Sequence, residues 1–170
     1  NNRITGITLE IMDSMGPGGQ MSGFTNADLS QVSLYLDTDG NGSFSTSSDA
    51  LLASSSPANW SIQTNPARWR SSFSGLTVPI PAIYSMNSTS TIFVVAQGTS
   101  AAINSSSTKS FNFQIPSGGV QISVGAGASL TSFPAAGGPM GSVYFSPKVN
   151  LGQEGTGGFG SQIVISEVQT

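Results

Sequence analysis

The sequence predicts an all-β protein, an antiparallel β-sandwich of Ig-like or jelly-roll-like type that carries a Gly-rich C-terminal arm. Three observations lead there. About seven short segments alternate apolar and polar residues with period two, and none keeps a helical period. Gly, Pro, Asn, Asp and Ser clusters separate them at short intervals. Only 8% of the 170 residues are charged, while 37% are hydrophobic and Ser, Thr, Gly and Asn supply the polar part. Such a chain has the material for a core but not the charged surface of an average globular domain. Its length suits one domain with arms.

The segments follow in order. Residues 4–11 put Ile7, Leu9 and Ile11 on one face and Thr8 and Glu10 on the other, as in a half-buried antiparallel strand. Residues 12–26 contain Gly16-Pro17-Gly18-Gly19 and read as a loop. A strand over 31–36 enters an acidic turn, and Ala50–Ala53 leaves it. Residues 54–70 are polar around Trp60 and Trp69. A strand resumes at Phe73 and ends at Pro79-Ile80-Pro81, where proline suits a strand end. Thr91–Ala96 is apolar on both faces, which fits a central strand. Lys109–Ile115 and Val120–Val124 alternate again. The sandwich domain is thus expected over 1–124.

Residues 125–160 hold ten glycines and one strand-like island, Ser142–Phe145, and are expected to be an extended linker. A clear strand closes the chain within 161–170, with Gln162, Ile163, Val164, Ile165 and Val168 as its pairing residues. It can return to its own sheet or add to the open edge of a neighbouring copy.

The acidic turn is Asp37-Thr38-Asp39-Gly40-Asn41-Gly42-Ser43, with Asp49 downstream. Asp37, Asp39 and Asn41 take loop positions 1, 3 and 5, Gly42 takes the sharp-turn position 6, and Ser43 offers its carbonyl at position 7. Ca²⁺ seeks six to eight hard oxygens, and alternate residues of a tight loop supply them. Ser48 stands where an EF-hand has its bidentate Glu, and a strand rather than a helix leads in. A calcium loop on a β scaffold, closed by Asp49, therefore fits better than an EF-hand. An Asp/Asn/Gly-rich turn that binds nothing is the alternative. Asp28 reads either as a ligand from outside the loop or as a turn cap.

Composition excludes several functions. There is no His and no Cys, so His-based triads, thiolate metal sites and disulfides are ruled out. Net charge is −3 and no basic stripe exists, which argues against nucleic-acid binding. No apolar run reaches the roughly 20 residues of a membrane helix. Glu10, Asp13, Glu154 and Glu167, the remaining free acids, show no paired spacing for a hydrolase. Trp69, flanked by Arg68 and Arg70, reads either as a sugar or partner contact together with Trp60 or as an edge cover. Tyr84 would complete such an aromatic platform. Sequons at Asn59, Asn87 and Asn104 are candidate glycosylation acceptors. A fourth, at Asn41, lies in the acidic loop. The start at Asn1-Asn2-Arg3 reads as a mature, processed protein or a fragment of a longer one.

Val32–Gly42, Leu51–Ala53, Phe73–Pro81 and Thr91–Ala96 together resemble a β-sandwich repeat of large secreted bacterial and archaeal surface proteins. The resemblance covers about two-thirds of the chain. It implies a structural role at the cell surface, bound calcium, and Asp37, Asp39, Asn41 and Asp49 as ligands. This chain has one extra residue before Asp49. Such repeats also tend to carry an additional strand upstream of the 4–11 equivalent, and this chain is expected to start too late to contain it, which implies a sandwich with a vacant edge. The expectation is an extracellular filament, pilus or surface-layer subunit assembled with copies of itself or adjacent repeats. A carbohydrate-binding or adhesive module is the alternative.

Overall fold

β1 (Arg3–Asp13) runs through the larger of two antiparallel sheets in the computed structural model. The structure describes residues 3–14, 20–64, 68–80, 90–107, 109–123, 132–133, 144–146, 148–151 and 162–165. Along one side β1 pairs with β5 (Arg68–Pro79), from Arg3↔Pro79 to Ile11↔Trp69. Its other side is shared between β7 (Lys109–Ile115), opposite Glu10 to Asp13, and β8 (Val120–Ser123), opposite Arg3 to Ile7. β4 (Ser61–Gln63) borders β5, and β9 (Ser132–Phe133) borders β8. β10 (Tyr144–Phe145) and β11 (Val149–Leu151) border β7. The smaller sheet has the order β12 (Gln162–Ile165), β6 (Ile92–Gly98), β2 (Leu29–Leu36), β3 (Ala50–Ser55). The all-β expectation therefore holds, and the only helix among the described residues is the short α1 (Ser100–Ile103), with 3₁₀ turns at Asn26–Asp28 and Pro57–Asn59.

The two sheets bury one core. Ile7, Leu9 and Ile11 of β1, Phe73 and Val78 of β5, and Phe111 and Phe113 of β7 join Val32 and Leu34 of β2 and Ile92 and Val94 of β6 in one buried cluster. Each such side chain stabilises the fold by about 1.5–3 kcal/mol relative to exposure. Strict alternation would place Ile4 on the opposite face from Ile7. A register shift between Ile4 and Gly6 turns the strand, and Ile4 is buried at 3% exposure. Phe24 closes one end of the sandwich, stacked on Phe111 at 4.5 Å and edge-on to Trp69 at 5.9 Å. Its loop is tied down through Asp13, which accepts from the Ser22 hydroxyl (2.6 Å) and the Gly23 N–H (3.1 Å).

Several sequence expectations are refined. The strand expected from Phe73 begins at Arg68. Alternation turns Trp69 toward Phe24 and sets Arg68 and Arg70 on the outer face, where both meet Glu10. Glu10 is consequently no free acid: it is fully buried, ion-paired to both arginines and hydrogen-bonded by the Gln114 amide. Among the described residues β1 is paired on both sides, by β5 on one and by β7 with β8 on the other. Within the segment expected as a linker, β10 falls in the strand-like island Ser142–Phe145, and β9 and β11 add further short strands that extend the larger sheet beyond β7 and β8.

Candidate metal centre

The acidic loop joins β2 to β3 and folds on its own carboxylates. Asp37 accepts two backbone hydrogen bonds, from Gly40 N–H to Oδ1 (2.8 Å) and from Gly42 N–H to Oδ2 (3.0 Å). Both glycines are left-handed, with φ of +67° and +70°, so the chain can coil tightly enough to aim these N–H groups inward. Asp39 accepts from the Asn41 backbone (3.1 Å) and side-chain amide (2.6 Å), and Asn41 Oδ1 accepts from Ser43 N–H (2.6 Å). The Asn41 backbone N–H is the main cause that holds the Asp39 carboxyl below its ordinary value of 3.8.

Asp49 arrives from the far side of the loop. The extra residue before it is absorbed by a turn in which Ser48 and Asp49 N–H groups both donate to the Ser45 carbonyl (3.3 and 2.9 Å). Ser45 N–H in turn donates to Asp49 Oδ2 (2.6 Å). One oxygen each of Asp37, Asp39 and Asp49 then lies within 4.8 Å of the others. Asp49 is 7% exposed, and its Oδ1 is buried without a hydrogen-bond partner. Burying an unpaired carboxylate oxygen costs several kcal/mol unless a donor or cation satisfies it. An all-oxygen set with such an orphaned atom could hold a hard cation.

The remaining candidate residues lie elsewhere. Ser43 is exposed on the loop beside Asn41. Asp28 is a cap and ion-pair partner, bonded by Thr25 N–H (2.7 Å) and Lys109 Nζ (2.9 Å), away from the acidic trio. Trp60 is 5% exposed, edge-on to Phe73, and its Nε1–H donates to Ser55 Oγ (3.0 Å), so it presents no ring face to a sugar. Trp69 is half-buried against Phe24. Asn59 and Asn104 are exposed at the ends of short helical turns. Asn87, Tyr84, Val168, Glu154 and Glu167 lie outside the described residues.

The C-terminal strand has a definite place. β12 pairs antiparallel with β6, setting Gln162 opposite Val95, Ile163 opposite Val94, Val164 opposite Phe93 and Ile165 opposite Ile92. Ile92 and Val94 line an apolar cavity of about 30 Å³ between the sheets, together with Ile4, Ile7, Leu9 and Val120. No charged residue occurs in β12, β6, β2 or β3. Sequence reasoning passed over Phe44, whose ring packs on Tyr35 (4.8 Å) and Phe93 (5.7 Å). Its position inside an otherwise polar loop was the available signal. No family model, no curated protein and no solved structure matches the chain.

Proposed function

We propose that this chain is a non-enzymatic structural protein of the cell exterior. It acts as a subunit of a surface filament, pilus or surface layer, adds to its neighbours by β-strand exchange, and is stabilised by calcium in the Asp37–Asp49 loop. The observation that carries this reading is the pairing of β12. Its four residues complete the smaller sheet along β6, and their partners Ile92 and Val94 sit over an incompletely filled apolar space. An uncharged sheet edge of this kind favours addition of a strand, because nothing on it repels one. The same register serves a strand from this copy or from another. The calcium part rests on the orphaned Asp49 oxygen beside Asp37 and Asp39.

Electron microscopy of the purified chain, with and without a calcium chelator and after deletion of residues 161–170, tests the reading. Ordered filaments that disappear on deletion are expected. Compact monomers in every condition contradict it.

A second reading, a carbohydrate-binding or adhesive module, is favoured by a groove of about 850 Å³ on the outer face of the smaller sheet. Gln31, Ser33, Tyr35, Phe44, Val95 and Gln97 are among its lining residues, and none of the described residues that line it is charged. Amides beside aromatic rings suit a neutral glycan. Calorimetry with neutral oligosaccharides, repeated on Tyr35→Ala, decides it.

A further inference from the structure

We infer that Phe44 is a positioning residue that couples the metal loop to the β6 edge, so that a cation in the loop holds the C-terminal strand in place. This deepens the strand-exchange reading and rests on it.

Phe44 lies between the two arms of the acidic loop. Asp37, Asp39 and Asn41 precede it, and Asp49 follows. Any cation that draws the two arms together therefore fixes the residue between them. Without one, the three carboxylates crowd within 4.8 Å and repel, which weakens the closure that the Asp37 and Ser45 hydrogen bonds provide.

The ring of Phe44 rests on Phe93, 5.7 Å between centroids at 69°. Phe93 is fully buried, yet it lies apart from the inter-sheet core cluster that holds its neighbours Ile92 and Val94. It occupies the outer face of β6, and Phe44 helps to cover it there. The main chain makes a second link, since Asp37 N–H donates to the Thr91 carbonyl at 3.0 Å. Loop side chain and loop backbone thus both land on residues 91–93. The opposite side of that stretch pairs with β12, through Phe93↔Val164 and Ile92↔Ile165. Four residue pairs are a short ladder, so rigidity at two of the acceptor positions controls how often it opens.

Amide hydrogen exchange of residues 162–165, in saturating calcium and in EGTA, tests the coupling. Calcium is expected to slow exchange in the wild-type chain by about tenfold or more, roughly 1.4 kcal/mol. Phe44→Ala keeps every carboxylate, so it should still bind calcium by calorimetry and yet lose most of that protection. Phe44→Leu, which keeps an apolar contact, should restore part of it. Equal exchange of the wild-type chain with and without calcium overturns the inference, as does full calcium-dependent protection in Phe44→Ala. Strand exchange itself is read separately, by uptake of a labelled peptide of residues 161–170. Failure of uptake with calcium-dependent protection intact removes the strand-exchange reading alone.

Discussion

Glu10 of β1 stands opposite Arg70 of β5, and Arg70 Nε–H donates to Glu10 Oε1 at 2.6 Å. Arg68 Nη1 reaches the other oxygen at 3.2 Å, and the Gln114 amide from β7 donates to that oxygen too. One carboxylate on the outer face therefore ties three strands together. Breaking a buried pair costs about 3–5 kcal/mol, mostly as an uncompensated charge. The arginine side chains are 26% and 39% exposed, which lowers that figure. Arg70→Ala should cost about 2–3 kcal/mol in urea unfolding and Arg68→Ala less, because Arg70 makes the closer contact. Equal small losses would mean that Arg68 and Gln114 suffice to hold Glu10.

Asp49→Asn separates the metal from the fold. Calcium at 100 times its Kd stabilises a chain that binds it only when folded by about 2.7 kcal/mol. Thermal unfolding of the wild-type chain should show an increment of this order. In the variant the increment should nearly vanish, while calcium-free stability stays level or rises as carboxylate repulsion is relieved. A variant that gains as much from calcium as the wild type would remove Asp49 from the site.

The Asp39 carboxyl gives the apo loop a pH dependence. Its folded value lies below 3.8, chiefly because the Asn41 N–H favours the charged form. The contribution of that contact to loop order is therefore fully present above 3.8 and is lost as pH falls through the lower folded value. An NMR titration of the Asp39 side-chain carboxyl should have its midpoint below 3.8, with the Asn41 amide resonance following it. A midpoint at or above 3.8 would contradict the loop geometry.

Trp60 offers a direct check on the core. It is 5% exposed and packs edge-on against Phe73. Trp60→Ala should destabilise the fold by about 3–5 kcal/mol, as other large core aromatics do. A loss below about 1 kcal/mol would place the ring outside the core.

Much of this architecture was legible from period-two alternation. Lys109–Ile115 has the same limits in the sequence pattern and in the structure, because Phe111, Phe113 and Ile115 alternate with polar residues without interruption. The start of β5 was not legible, since two arginines around Trp69 look like a polar loop until Glu10 is placed beneath them. β10 falls within the strand-like island Ser142–Phe145, whereas β9 and β11 are two or three residues long, too short to show a period. In the acidic loop the spacing of Asp37 and Asp39 could be read directly. The approach of Asp49 depends on the turn at Ser45, and its orphaned Oδ1 on burial, and neither leaves a mark in a linear pattern.

The chain has no cysteine, so the strand-exchange claim has a clean covalent test. Val95→Cys and Gln162→Cys occupy opposed positions on β6 and β12, within reach of a disulfide across antiparallel strands. Oxidation of the double variant under assembly conditions, followed by a non-reducing gel, reports whose strand fills the edge. A ladder of covalent multimers is the expected result, and a single internally cross-linked monomer band would contradict strand exchange between copies.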